Sequence, residues 1–286
     1  MMSRLQKEKA IQFRQFHQGP PTLVLPNAWD AASAYLFERV GFRAIATTSS
    51  GVAAALGYAD GQISRAMMLE VIERMTRVVE CPVTADIEAG HENTVDEMLQ
   101  TIRAVIMAGA VGINIEDSTH QAEGVLVDVS FQVELIKALK ELALSMAIPF
   151  VVNARTDVYL LPTGDEADRF DQAVQRANAY RQAGADCLFV IGVRDADIIR
   201  KLLQAIKGPL NILATRTTPS IAELARLGVA RVSFGSLMMR AVLGRLRHLC
   251  RELLEQETYI SMSDGAMPEA EFRSLFTTPQ RSVPRA

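Results

Sequence analysis

Acidic and basic side chains stand at the ends of three successive apolar runs of the sequence. Asp86 and Glu88 close the first run, Glu116 closes the second, and Arg155 closes the third. Residues two apart share one face of a strand, so Asp86 and Glu88 face the same way, as do Asn114 and Glu116. If the three runs are neighbouring parallel strands, these polar groups converge on one mouth.

Carboxylates brought this close together repel one another. A pair about 5 Å apart at an effective dielectric of about 20 costs about 3 kcal/mol. Either one carboxyl group is protonated or a divalent cation lies among them. A site with few carboxylates and room for water suits Mg²⁺ (or Mn²⁺). Zn²⁺ is disfavoured because it prefers histidine or cysteine ligands, and no histidine falls at a strand end.

Each of these residues also has a simpler explanation when it is taken alone. An isolated Asp-x-Glu is usually a solvated surface pair, and Arg155 alone is explained by a structural salt bridge. His17 and His248 fall in predicted helices, where surface or packing roles are expected, whereas His91 and His120 fall in predicted loops at the mouth. The convergence of charged groups on adjacent strand ends favours a functional site.

Eight short apolar runs alternate with amphipathic segments along the chain, which predicts parallel strands joined by helices. The predicted strands are Thr22–Leu25, Arg43–Thr47, Pro82–Asp86, Val111–Glu116, Pro149–Asn153, Asp186–Val190, Leu210–Ala214 and Arg231–Phe234. This pattern predicts an α/β fold, a (β/α)8 TIM barrel, with an extra N-terminal helix over Arg4–His17. A doubly wound open sheet is the alternative, but no GxGxxG follows the first strand.

Helix signals fall between these runs. Thr94–Met107 carries apolar residues at helical spacing, and Thr94 with Glu97 predicts a capping box at its start. Ser220 and Glu223 repeat that signature before a later helix. Glycines that end helices just ahead of a strand are expected at Gly41, Gly109, Gly184 and Gly228.

Composition limits the function classes further. The 286 residues include 30 Lys+Arg and 33 Asp+Glu, a net charge of −3, without the basic patch of a nucleic-acid binder. No run is long enough to span a membrane and no signal peptide is evident, so we expect a soluble cytoplasmic protein without a membrane or nucleic-acid partner. Three scattered cysteines fit a reducing compartment. We expect a catalytic barrel domain over 1–255 and a C-terminal arm over 256–286.

The polar segments at the strand ends resemble those of the isocitrate lyase/phosphoenolpyruvate mutase superfamily. These segments are 48–60, 86–90, 112–117 and 153–157, and the resemblance runs in order from about Leu23 to about Leu253. The sequence is similar in particular to the short-chain branch that includes methylisocitrate lyase, phosphonopyruvate hydrolase and oxaloacetate decarboxylase. The resemblance implies a (β/α)8 barrel whose last helix is exchanged between subunits, in a homotetramer built as a dimer of dimers.

The resemblance also implies a Mg²⁺ site and a small α-oxo or 2-hydroxy acid substrate that reacts through an enolate held on the metal. Asp86 would ligate the metal directly. Asp60, Glu88 and Glu116 would act on the metal's waters. Arg155 would hold the substrate carboxylate.

Further candidate residues follow from the same resemblance. Thr48, Ser49 and Ser50, with Gly51, would supply hydroxyl and backbone N–H donors to the substrate. The candidate catalytic residues are Arg155, Glu116, Asp60 and His120, and the candidate substrate-binding residues are Thr48, Ser49, Ser50, Gly51, Asp86, Arg155 and Thr215.

The sequence departs from the superfamily's pattern at three places. Glu88 stands where the family usually has Asp, and Thr215, followed by Arg216, stands where the lyases have Asn. The loop after the fourth strand, 118–124, lacks the cysteine of the lyases and the Lys and Asn of the mutases. His120 or Glu123 is the substitute that this loop offers.

We therefore expect a Mg²⁺-dependent lyase or decarboxylase that acts on a C–C bond adjacent to an α-oxo carboxylate. Two alternatives stay open at this point: phosphonopyruvate-type C–P bond chemistry, and a barrel that binds an α-oxo acid without catalysis.

Overall fold

The computed structural model describes residues 3–88, 94–118, 125–161 and 168–276. In these residues the strands are β1 (Leu23–Leu25), β2 (Asn27–Ala28), β3 (Ile45–Thr47), β4 (Val83–Asp86), β5 (Gly112–Glu116), β6 (Val151–Thr156), β7 (Cys187–Val190), β8 (Leu210–Leu213) and β9 (Arg231–Ser233). The helices are α1 (Arg4–Gln15), α2 (Ala31–Val40), α3 (Ser49–Leu56), α4 (Arg65–Val78), α5 (Val95–Met107), α6 (Val129–Ser145), α7 (Arg169–Ala183), α8 (Ala196–Ala205), α9 (Ile221–Leu227), α10 (Leu237–Glu255), α11 (Ile260–Gly265) and α12 (Glu269–Ser274).

All the strand pairs are parallel, and the sheet order is β1-β9-β8-β7-β6-β5-β4-β3-β2. β1 and β2 flank Pro26, which has no N–H to donate to a sheet, whereas its carbonyl oxygen accepts from the backbone N–H of Ala46 at 2.9 Å. The predicted first strand, Thr22–Leu25, is therefore β1, and an additional short strand, β2, follows Pro26 and pairs with β3, so the chain at Pro26 closes the sheet. The predicted (β/α)8 barrel is confirmed.

The other predicted strands are present with shifted ends. The largest shift is in β6, which was expected at Pro149–Asn153 and spans Val151–Thr156. The strand extends beyond Asn153 because its last residues, although polar, continue the backbone pairing with β7. Arg155 therefore belongs to the strand itself rather than to the loop after it.

Capping side chains fix several helix starts. Thr94 caps α5 by accepting from the backbone N–H of Glu97, but the Glu97 carboxylate accepts from the Thr94 hydroxyl, so only half of the expected capping box forms. Ser220 and Glu223 form the complete box. Gly41, Gly184 and Gly228 end their helices in the left-handed conformation, and Gly109 shares that conformation just after α5.

Helix α1 packs against the barrel with its apolar face. Phe13 is fully buried, and a Cβ built on Gly112 in β5 would lie 3.0 Å from its ring. Arg14 and Lys140 donate to opposite oxygens of the buried Asp186 carboxylate, each at 2.8 Å. This ion-pair network ties α1 and α6 to the start of β7.

The C-terminal helices carry exposed apolar residues. Val242, Leu243 and Leu246 of α10 are each about half exposed in the single chain. None of the described helices is both long and apolar enough to cross a membrane. The division into a barrel over 1–255 and an arm over 256–286, and the exchange of the last helix, stay predictions.

Candidate active site

A cavity of about 230 Å³ opens at the C-terminal ends of the strands. Its lining comes from every strand except β1, together with the loops that follow them. The polar lining residues are Asn27, Thr47, Thr48, Ser49, Ser50, Asp60, Thr84, Asp86, Asn114, Arg155, Arg231, Ser233 and Ser236. This is the face at which the active sites of barrel enzymes lie.

Asp86 lines this cavity and accepts hydrogen bonds from two neighbouring elements. One carboxylate oxygen accepts from the backbone N–H and the hydroxyl of Ser49, at 3.2 and 3.0 Å. The other oxygen accepts from Nδ2 of Asn114 at 2.9 Å. The backbone N–H of Asp86 donates to the hydroxyl of Thr47 at 2.7 Å. These contacts hold one carboxylate in a fixed orientation at the mouth.

Glu88 and Asp60 place two more carboxylates beside Asp86. Glu88 is buried and has a positive φ of 54° just beyond β4. Burial, followed by the charges of Asp86 and Asp60, raises the pKa of Glu88 to about 7. Hydrogen bonds link Glu88 to Ser49 and to Asp60. The expected repulsion among these carboxylates is present, and a proton or a cation relieves it.

Arg155 lies between two carboxylates. Its Nη1 is 2.6 Å from Glu116, and its Nε and Nη2 donate to the two oxygens of Asp157, at 2.5 and 2.9 Å. Burial alone would lower the pKa of Arg155, but Glu116 and Asp157 raise it above its ordinary value. Burial raises the pKa of Glu116, and Arg155 opposes that effect. The arginine is a fixed cation at the rim of the cavity.

Asp117, next to Glu116 in sequence, supports this pair from outside the cavity. Its fully buried carboxylate accepts from the backbone N–H of Asp157 at 2.9 Å and from the hydroxyl of Tyr180 at 2.7 Å. Arg176 donates to the same carboxylate at 3.1 Å. Burial raises the pKa of Asp117, and these donors oppose it. Asp157 is therefore held by its backbone while its side chain holds Arg155.

The predicted hydroxyl segment forms the turn into α3. Thr48 caps the helix by accepting from the backbone N–H of Gly51 at 3.3 Å, and a Cβ at Gly51 would lie 2.5 Å from the Thr48 methyl group. The N–H of Gly51 thus serves the cap, whereas Ser49 donates to Asp86. The hydroxyls of Thr48 and Ser50 line the cavity. Their contact with a substrate stays a prediction.

Two predicted residues fall outside this group. Thr215 lies beyond β8, where its hydroxyl is 2.8 Å from that of Thr218, and it is not among the described residues that line the cavity. His120 lies outside the described residues.

Sequence reasoning missed Asn27, Asp157 and Arg231 as site residues. Parity could have found Asp157, since it lies two residues beyond Arg155. Asn27 accepts from the backbone N–H groups of Phe234 and Gly235, and Arg231 lies at the cavity floor.

The donor chemistry of the cavity fits one divalent cation that keeps most of its water. In the described ranges no three Asp, Glu, His or Cys side chains are placed to ligate one ion together. Asp86 and Asp60 line the cavity, Glu88 is hydrogen-bonded to Asp60, and Glu116 is paired with Arg155. Mg²⁺ characteristically binds through one or two carboxylates and retains several waters. Direct ligation by Asp86 and action of the other three on water are compatible with this geometry.

The parallel barrel, with carboxylates and an arginine at the C-terminal ends of its strands, is typical of barrel enzymes that act on small anionic molecules. Comparison places the chain within that class: residues 13–254 match the family model described as phosphoenolpyruvate phosphomutase. The chain belongs to this family, and with it to the isocitrate lyase/PEP mutase superfamily, as the resemblance implied. It is an enzyme of this superfamily, and its homologues include proteins named as lyases.

Individual relatives cover most of the chain. The 2-methylisocitrate lyase of Escherichia coli is 30% identical over 82% of this chain and 81% of its own. The 2,3-dimethylmalate lyase of Eubacterium barkeri is 27% identical over 93% of each chain. A Burkholderia cenocepacia J2315 structure, provisionally described as a lyase/mutase, is 36% identical with a TM-score of 0.90, over 97% of this chain and 99% of its own.

Proposed function

We propose that this protein is a Mg²⁺-dependent lyase or decarboxylase that breaks a C–C bond adjacent to an α-oxo carboxylate. The observation that carries the proposal is the geometry of Asp86, which Ser49 and Asn114 hold at a mouth crowded with other carboxylates. The relatives named 2-methylisocitrate lyase and 2,3-dimethylmalate lyase support lyase chemistry over the C–P alternative.

The carboxylates of the site supply the oxygen ligands that the proposed cation needs. Asp86 would hold Mg²⁺ (or Mn²⁺), with Asp60, Glu88 and Glu116 accepting from its waters. When bound, the ion supplies Lewis-acid stabilisation of the negative charge that develops on the substrate oxygens. Ser49 fixes the rotamer of Asp86, so the ligand is oriented before the ion arrives.

Arg155 binds and orients the substrate carboxylate. A guanidinium has five N–H donors. Two of those in Arg155 donate to Asp157, and Nη1 forms an ion pair with Glu116. The remaining donors on Nη1 and Nη2 suit a carboxylate, and the rigid clamp limits the orientations that the bound acid takes. The hydroxyls of Thr48 and Ser50 add neutral donors at the wall of the cavity.

A panel assay tests this proposal. Oxaloacetate, methylisocitrate, dimethylmalate, isocitrate and phosphonopyruvate are incubated with the protein and Mg²⁺, and products are followed by ¹H NMR. We expect turnover of an oxo or hydroxy acid that is lost in Asp86→Ala and retained in Asp96→Ala, since Asp96 is an exposed residue of α5. Binding without turnover across a wider panel of such acids, or an active Asp86→Ala variant, would overturn the proposal.

We extend the proposal to assembly and location. The exposed apolar residues of α10 suit exchange of that helix between subunits in a homotetramer, a dimer of dimers. Cys81, Cys187 and Cys250 are free thiols, as is usual for proteins of the reducing cytoplasm.

A further inference from the structure

Arg231 is a buried cation at the floor of the mouth cavity. It is the first residue of β9 and only 2% exposed, and its Nε and Nη1 atoms make no hydrogen bond with another described residue. Burial lowers the pKa of Arg231 to about 10, while Cys187 and Asp86 oppose that effect, so the side chain stays charged at neutral pH. A charge in this position requires polar partners to offset its desolvation.

Three polar side chains in the barrel interior also carry buried oxygens without a hydrogen-bond partner among the described residues. Asn153 Oδ1, Asn211 Oδ1 and Thr84 Oγ1 are buried and make no hydrogen bond within the described ranges. Asn211 pairs in register with Arg231 across β8 and β9. Cys187, which pairs in register with Asn153, interacts electrostatically with Arg231. The interior therefore holds unmatched donors and unmatched acceptors together.

Water is the small ligand that satisfies both kinds of group. An anion would serve the guanidinium but would be repelled by the amide oxygens, whereas a water molecule donates to the amides and accepts from Arg231. Buried water bound to otherwise unsatisfied polar groups is a regular part of protein interiors.

The orientation of the asparagines links this interior to Asp86. Asn114 donates to Asp86 through Nδ2, at 2.9 Å. Oδ1 of Asn114 then accepts from Nδ2 of Asn153 at 2.7 Å. This leaves Oδ1 of Asn153 without a donor among the described residues. Arg231, which interacts electrostatically with Cys187, the register partner of Asn153, carries N–H donors that are likewise without partners there.

We propose that Arg231 is a positioning residue for Asp86, acting through ordered water that joins its guanidinium to Oδ1 of Asn153. The water donates to Oδ1 of Asn153, so that Nδ2 of Asn153 donates to Asn114 and Nδ2 of Asn114 donates to Asp86. This order of donors holds the Asp86 carboxylate in its orientation at the mouth. The inference rests on the proposed function, because Asp86 matters here as the candidate metal ligand.

Mn²⁺ binding to the full-length protein, followed by electron paramagnetic resonance, tests the effect on the site. Removing a cation near Asp86 would by charge alone tighten binding of Mn²⁺. Positioning predicts the opposite, and we expect Arg231→Met to weaken Mn²⁺ affinity about 10-fold. Arg231→Lys keeps donors for water and should recover most of it. Arg14→Met, which removes an arginine from the ion pair with Asp186, is the matched control and should bind Mn²⁺ like the wild type.

A second variant guards against misfolding of Arg231→Met. Asn153→Asp abolishes the donor to Asn114 while adding a negative charge, so a weaker Mn²⁺ affinity in this variant again contradicts a simple charge effect. Tighter or unchanged binding in both variants would refute the inference.

Metal-free crystal structures give a readout that does not depend on the proposed reaction. We expect a water molecule within hydrogen-bond distance of both Arg231 and Oδ1 of Asn153 in the wild type. In Arg231→Met, the contacts of Asp86 with Ser49 or Asn114 should break. A dry interior, or unchanged Asp86 contacts, overturns the inference. A wild type with this water that fails to bind Mn²⁺ would instead refute the metal site, and the Asp86 geometry would still decide the role of Arg231.

Discussion

His17 makes the stability of the folded chain sensitive to acid. The residue follows α1, is 2% exposed, and its Nδ1 lies 2.8 Å from the carbonyl oxygen of Phe13. Burial and then the charge of Arg231 lower the pKa of His17 to about 4, while Phe13 and Asp186 oppose the effect. The nitrogen bonded to a carbonyl must carry a proton, so the ring is neutral with its proton on Nδ1.

The sign and size of the effect follow from the two pKa values. The unfolded chain takes up a proton near the ordinary pKa of 6.5, and the folded chain resists protonation until about 4. Stability is therefore complete above pH 6.5 and is lost as the pH falls through this window, by about 3 kcal/mol in total. Between pH 7.5 and 5.0 the loss is about 2 kcal/mol.

Urea unfolding at pH 7.5 and 5.0, monitored by circular dichroism, measures this loss. His17→Asn keeps an amide donor for the carbonyl of Phe13 but cannot take up a proton, so its stability should fall by about 2 kcal/mol less than that of the wild type. His248→Asn, at an exposed position of α10, is the control and should behave like the wild type. An equal pH-dependent loss in His17→Asn and the wild type would refute the reasoning.

Three further changes test other parts of the molecule. Asp157→Asn removes a charged partner of Arg155 and should lower kcat/KM about 10- to 100-fold in a steady-state assay, because hydrogen bonds between charged groups are worth about 1.5 to 3 kcal/mol. Asp186→Ala removes the carboxylate that pairs with both Arg14 and Lys140, and should lower the free energy of unfolding by about 3 kcal/mol in urea titrations. Leu246→Asp places a charge on the apolar face of α10 and should reduce the mass measured by light scattering below that of a tetramer.

Each of these changes has an outcome that contradicts its premise. Unaltered kcat/KM in Asp157→Asn would show that Arg155 needs no second carboxylate, and the exposed Asp171→Asn serves as control. An unchanged urea midpoint in Asp186→Ala would mean that the ion pairs add no net stability. A Leu246→Asp protein with the wild-type mass would argue against exchange of α10.

Most of the barrel could be predicted because its strands are buried on both faces and at least one of those faces is apolar. Such strands stand out in a sequence as short hydrophobic runs, and the caps at Ser220 and Gly184 mark where helices begin and end. The exception is β2, which follows Pro26 and was not predicted. Two residues are too few to show a strand periodicity, and β2 is recognised only from its pairing with β3.

The alternation of side chains along the strands predicted which residues face the site, but not which of these residues pair with one another. Asp86 and Asn114 were placed inward from their spacing alone, and the structure brings them within 2.9 Å. Arg155 was expected to face a substrate, but its pairing with Asp157 and Glu116 depends on the fixed geometry of the β6 end. Arg231 stood at the edge of a predicted strand, where a charged residue ordinarily marks the end of the buried segment.

The charges at the mouth explain why the proposed chemistry needs a cation. Asp60, Asp86, Glu88, Glu116 and Asp157 bring five carboxylates to the described part of the site, against the guanidiniums of Arg155 and Arg231. An anionic oxo acid entering this excess of negative charge would be repelled, since Arg155 is already neutralised by its own partners. A divalent cation held by Asp86 would reverse that balance where the substrate oxygens must lie. The fixed pair of Arg155 and Asp157 would then serve mainly to orient the acid, and the carboxylates that crowd the site would retain the ion.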